Sequence, residues 1–176
     1  MRLLSISFLL ISISYLIQSL FNFFIISKAN QEICRIIKIE SILLFDTLGL
    51  YAHISFMTLG LTLLAYMSFR TEKKRILLLL VAISMFGVFL SMNALYLFFL
   101  FSSIYLVFIS WYFIENFLRN RQKKTLLTAI AFLFLLFGTI HFIFSVNHQL
   151  FYAIGHILEL FAYLLILSNL LLVLKK

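Results

Sequence analysis

Apolar residues run along this chain in five long stretches, one of them long enough for two helices, and polar or charged residues are largely confined to the segments between them. Since a transmembrane helix needs about 20 predominantly apolar residues, the pattern predicts an all-α fold, a bundle of six transmembrane helices in a single domain. We place the helices at about residues 3–27, 41–69, 76–91, 95–118, 125–146 and 150–174.

The third of these helices is short because the apolar segment 76–117 has to be divided in two. That segment is too long for one span, and we place the turn near Ser91–Ala94. The first helix lacks a small-residue cleavage pattern at its end, so we interpret it as a span and not as a removable signal peptide. Residues 28–40 are mixed in charge, which predicts a short interfacial helix.

Composition supports a multi-pass protein of the cell membrane, in contact with the lipid bilayer. Hydrophobic residues make up 64% of the chain and charged residues only 11%, with a mean hydropathy of +1.14. At this length six spans leave room only for short connections, so we expect no soluble domain. Cys34 is the only cysteine, which excludes an intrachain disulfide or a multi-cysteine metal site.

The net charge of +8 comes from basic residues clustered between the spans. Basic clusters at 70–75 and 119–124 would lie on the same side of the membrane as both termini, and the opposite side carries far fewer Lys and Arg residues. The positive-inside rule therefore places both termini in the cytoplasm. Charge of this kind anchors loops at the membrane surface, so we expect no nucleic-acid partner.

The absence of proline and the presence of only five glycines predict continuous helices. Transporters often use helices that Pro or Gly interrupts at the substrate site, so this composition argues against a carrier without excluding one.

The last predicted helix has one polar face. At about 100° per residue, Tyr152, His156, Glu159 and Tyr163 fall on the same side of it. A carboxylate at the centre of a spanning helix costs about 2.5–3.5 kcal/mol on insertion scales, so Glu159 should face the bundle interior and have a partner there.

Five ionisable residues from three predicted helices fall between the outer end and the middle of the bundle: Asp46, His53, His141, His156 and Glu159. A haem b held by two imidazoles would use two of the three histidines. A transition metal ion would use His156 and Glu159, joined by His141 or Asp46, with His53 as a further option. A proton relay would need only the acids and histidines around a hydrated cavity, and a structural network would use the same residues to fix helix packing.

The sequence from His156 to Ile166 resembles the last helix of membrane-embedded sensor modules that precede histidine kinase or diguanylate cyclase domains. In those modules a histidine is followed by two apolar residues, a charged residue and, four positions later, an aromatic residue. The segment is also similar to the ends of small prokaryotic polytopic membrane proteins. The resemblance implies a sensing or redox module with His156 as its key residue. Glu159 stands where those modules are expected to have a basic residue.

From these patterns we expect an integral membrane module that binds haem b or a metal ion through intramembrane histidines, for sensing or electron transfer. It would act with a protein partner or as a homo-oligomer. Two alternatives use the same residues differently, namely a cofactor-free structural or assembly subunit and a small proton-coupled permease. Whether the protein is an enzyme stays open.

Overall fold

The computed structural model describes residues 2–29, 37–69, 71, 73–145 and 149–174, which form α-helices and no strand. The helices are α1 (Arg2–Ala29), α2 (Ile37–Ser68), α3 (Lys74–Phe89), α4 (Ala94–Asn120), α5 (Lys123–Phe144) and α6 (Gln149–Leu174). The predicted all-α, six-helix fold class is thereby confirmed. Most of the predicted interfacial segment, including Cys34, lies outside the described residues.

Five of the six helices are long and apolar enough to cross a membrane, and α3 is the exception. With 16 residues, α3 is about 24 Å long, shorter than a hydrocarbon core of about 30 Å. It nevertheless runs antiparallel along α2. At the end of α3 Phe89 stacks on Tyr51 with ring centroids 5.5 Å apart, and at its start Lys74 lines a groove together with Tyr66. The orientation of the termini stays a prediction.

Five helices form a ring and α3 packs outside it. Around the ring, α1 packs on α2, α2 on α4, α4 on α5 and α5 on α6, while α3 contacts α2 and α4. Long side chains close the ring between α6 and α1, where the rings of Tyr163 and Tyr15 lie 5.2 Å apart. Large side chains at this last contact hold α1 and α6 farther apart than the other neighbours.

The two ends of the ring differ in packing. We call one end the basic end, because it carries Lys73, Lys74, Arg75, Arg119, Arg121, Lys123 and Lys124. The half of the bundle next to it is filled by fully buried Leu64, Ile109 and Phe132, and Phe132 stacks on Phe113 at 5.1 Å. We call the opposite end, which includes the turn Leu90–Asn93 and Ser145, the cavity end.

Most hydroxyl groups of the helices are satisfied within their own helix. Ser7 donates to the Leu3 carbonyl at 2.8 Å and Thr62 to the Thr58 carbonyl at 2.7 Å, as expected where no water is available to the side chain. Fewer polar pairs join neighbouring helices. Among the described residues, five such side-chain pairs are Ser14–His53, Tyr15–Glu159, Ser84–Tyr105, Ser103–Thr139 and Thr128–Asn169.

Candidate functional site

A cavity of about 480 Å³ lies inside the ring, in the half of the bundle next to the cavity end. Each of the five ring helices contributes to its wall. The polar side chains that line it include Gln18, His53, Ser102, Thr139, His156 and Glu159. Because all of them come from the end away from the basic loops, the cavity lies in the half of the bundle where the sequence places the ionisable residues.

Glu159 forms the centre of the polar wall. Its Oε1 accepts a hydrogen bond from the Tyr15 hydroxyl at 3.3 Å, and its Oε2 lies 3.5 Å from Nδ1 of His156. The two α6 side chains are three residues apart, so they share one helical face. The Glu159 side chain is 13% exposed and that of His156 is 50% exposed, so the carboxylate is largely buried and the imidazole is half exposed.

Two aromatic rings hold the His156 imidazole. Tyr152 contacts it edge-on with centroids 4.4 Å apart, and Phe142 of α5 does so at 4.8 Å. Both rings also line the cavity. The His156 imidazole therefore packs against one ring of α5 and one ring of its own helix, with Nδ1 toward Glu159.

His53 of α2 lines the same cavity from the other side and is anchored to α1. Its Nδ1 lies 2.7 Å from Ser14 Oγ and 3.2 Å from the Ser14 carbonyl oxygen, while Ser14 Oγ donates to the His53 carbonyl at 2.8 Å. A carbonyl only accepts hydrogen bonds, so Nδ1 carries the proton and Nε2 keeps its lone pair. No described residue hydrogen-bonds to Nε2.

Tyr15 connects the two sides of the site. Its ring centroid lies 5.3 Å from that of His53 and 5.2 Å from that of Tyr163, both in edge-to-face geometry. Its hydroxyl donates a hydrogen bond to Glu159. The chain of contacts therefore runs from α2 through α1 to α6, in the order His53, Tyr15, Glu159, His156.

The remaining predicted site residues lie elsewhere. His141 directs Nδ1 to the carbonyl of Phe137 at 2.7 Å and packs its ring 5.7 Å from Phe151, and it is not among the residues that line the cavity. Asp46 belongs to α2, and its side chain is outside the described part of the structure.

The arrangement gathers donors and acceptors around a cavity but does not gather a metal-coordination shell. Within the described residues there is no group of three or more His, Cys, Asp and Glu side chains positioned to hold a metal ion. His53, His156 and Glu159 share the cavity, and Tyr15 stands between the first and the last of them.

Sequence reasoning singled out the α6 face and His53 but did not single out Tyr15. The available signal was its position next to Ser14 and three residues before Gln18, two polar residues of the first apolar stretch. A tyrosine in a membrane helix is common at the interface, so its type alone does not distinguish a site residue.

Searches of protein-family models, curated proteins and solved structures find no match for this chain.

Proposed function

We propose that this protein is an integral membrane module that binds a small molecule in the cavity and transmits its presence to a protein partner. The cavity is the observation that carries the proposal. Its volume of about 480 Å³ falls within the range of roughly 300–1,000 Å³ typical of small-molecule sites. Its wall is mostly apolar with a few convergent polar groups, which is the usual composition of such sites.

Haem b is a second candidate occupant. His53 and His156 reach the cavity from different helices, and the proton on Nδ1 of His53 leaves Nε2 as the free nitrogen. A histidine whose second nitrogen is hydrogen-bonded to the protein is the form that usually ligates a metal. The haem would supply redox or gas-binding chemistry, and His53 would hold its iron, with His156 as the second candidate ligand.

A cofactor-free structural role remains the main competitor. The contacts of Tyr15, His53 and Glu159 join three helices, so the same residues also stabilise packing. A structural network is expected to be filled by side chains, whereas here the residues surround open space.

Native mass spectrometry and absorbance spectroscopy of the purified chain test the proposal. We expect wild type to retain a bound small molecule, seen as a mass adduct, or to gain thermal stability with members of a metabolite library. Ser102→Phe, which adds a ring at a buried cavity position, should abolish both effects. Ser168→Phe makes the same change on the exposed side of α6 and should leave them intact.

The histidine variants separate haem from other ligands. A Soret band that is lost in His156→Ala or His53→Ala and kept in His141→Ala would identify haem as the occupant. Wild type with no adduct, no Soret band after haem supplementation and no ligand-dependent stabilisation would rule out the binding function and leave the structural one.

A further inference from the structure

We infer that the molecule bound in the cavity is an organic cation, a protonated amine with an apolar body, and that Glu159 is the residue that neutralises its charge. This inference rests on the proposed function, since it names the chemistry of the ligand that the cavity would take. The ammonium group would lie beside Glu159 and Tyr15, and the apolar body would pack on the aromatic wall.

The charge of Glu159 favours a cationic ligand. Glu159 is largely buried in a spanning helix, where a carboxylate needs a positive or hydrogen-bonding partner. The Lys and Arg side chains that the structure describes lie at the basic end, and none of them lines the cavity. His156, half exposed and 3.5 Å away, is the one basic side chain described beside the carboxylate. A cationic ligand would balance the charge of Glu159, beside which the described part of the structure places no Lys or Arg side chain.

The balance of donors and acceptors around the cavity also favours a cation. The Glu159 carboxylate accepts hydrogen bonds, and so does Nε2 of His53 in the tautomer that Ser14 fixes. An ammonium group has only donors, so it matches a cavity whose ionisable side chains offer acceptors. An anionic ligand would instead meet the carboxylate and the imidazole lone pair.

The aromatic lining favours a cation as well. Six aromatic side chains line the cavity, those of Tyr15, Tyr96, Phe98, Phe99, Phe142 and Tyr152. The face of an aromatic ring attracts a cation within about 6 Å of its centroid, and the attraction grows where water is excluded. Carboxylate and aromatic rings around one opening form a chemistry that favours an amine over a neutral molecule of the same shape.

A matched pair of ligands tests the charge requirement. 2-Phenylethylamine is protonated at neutral pH, and 2-phenylethanol has the same body without the charge. We expect amine binding to the full chain, measured by ligand-dependent thermal shift in detergent micelles, to be at least tenfold tighter than alcohol binding. Butylamine and hexylamine extend the test to smaller and aliphatic bodies.

Two variants locate the charge. Glu159→Gln keeps the size of the side chain and should weaken amine binding at least tenfold while leaving alcohol binding unchanged. Glu115→Gln makes the same change on α4 near the basic end and should have no effect. Should Glu159→Gln fail to give a monodisperse protein, Tyr152→Leu at the exposed rim serves instead, with amine binding weakened about three- to fivefold through the lost ring.

The outcomes distinguish this inference from the proposed function. Equal binding of amine and alcohol, both lost in Ser102→Phe, would overturn the cation inference and keep the binding cavity. The same conclusion would follow if none of the amines bound while the native protein carried a neutral adduct. Amine binding that persists in Ser102→Phe would place the cation outside the cavity and overturn the cation inference, whereas the proposed binding function would still be judged by the loss of the native adduct in the same variant.

Discussion

At the scale of single residues, the contact between Ser14 and His53 is the best-defined polar link between two helices. The Ser14 hydroxyl and carbonyl both lie within hydrogen-bond distance of Nδ1, and His53 is buried. One serine thus holds the imidazole in a single tautomer and orientation, and the free nitrogen on the cavity side follows from it.

We predict that Ser14→Ala lowers the free energy of unfolding by about 1–3 kcal/mol, because it removes a partner of a buried N–H group. Ser7→Ala is the matched control, since the Ser7 hydroxyl bonds only to its own helix, and its cost should be smaller. Reversible unfolding in mixed micelles measures both. Equal costs for the two substitutions would show that the Ser14–His53 link adds no stability.

Removing the hydroxyl of Tyr163 should have the opposite effect. That hydroxyl is buried without a hydrogen-bond partner in the described structure, so Tyr163→Phe removes an unsatisfied polar group and should be neutral or stabilising by up to about 1 kcal/mol. Tyr105→Phe makes the same chemical change where the hydroxyl bonds to Ser84, and should destabilise the protein. The thermal unfolding midpoint should fall in Tyr105→Phe and should stay the same or rise in Tyr163→Phe.

The position of Glu159 beside His156 could be predicted from the sequence because helical periodicity alone places residues three apart on one face. The contacts of Tyr15 with Glu159 and of Ser14 with His53 could not. They depend on how α1 is rotated against α2 and α6, and rotation is set by packing between helices. The rotation of the helices also decides that His156 lines the cavity and His141 does not. Only the depth of these two residues along the bundle follows from the sequence.

At the scale of helices, the close approach of α1 and α2 depends on Gly60. A Cβ atom there would lie 2.7 Å from Ile11 Cγ1 and 3.0 Å from the Ser7 carbonyl oxygen, and a backbone atom cannot move aside without displacing its helix. Gly87 also faces a neighbouring helix, but an added Cβ would meet only the ring of Phe101.

Gly60→Ala should therefore destabilise the protein by about 1–3 kcal/mol through overpacking. Gly87→Ala should cost less, because the Phe101 side chain can rotate and the substitution gains up to about 1 kcal/mol of helix propensity. Thermal unfolding of the two alanine variants side by side provides the measurement. A larger loss for Gly87→Ala would mean that α3 is packed more rigidly than α1.

The path of α3 gives a prediction for topology. Because α3 runs from the basic end to the cavity end, Lys73 and Lys123 should lie on the same side of the membrane, which the positive-inside rule makes the cytoplasm. Single cysteines at these positions, in a Cys34→Ser background, should both resist an impermeant thiol reagent added from outside. Labelling of just one of them would show that α3 does not cross.

At the scale of the whole molecule, the six-helix class could be predicted from hydropathy because only helices or closed barrels can span a lipid bilayer. The length of each apolar run then indicates helices and their number. The ring of five helices with α3 outside it was not predictable in the same way. An apolar run does not indicate which neighbouring helix it packs against. The cavity could therefore not be predicted, because residues from five helices form its wall.

The short length of α3 also affects the match between the protein and the thickness of the lipid bilayer. Its turn at Leu90–Asn93 lies at the level of Tyr51, whereas α2 continues to Ile37 beyond it, and Asn93 is part of the cavity rim. If α3 crosses the membrane, a hydrocarbon core of about 30 Å would have to thin locally by about 6 Å beside a helix of about 24 Å, at a cost of fractions of a kcal/mol per Å. Lipids with shorter acyl chains would relieve that mismatch. We therefore expect membrane thickness to affect the edge of the cavity that Asn93 lines.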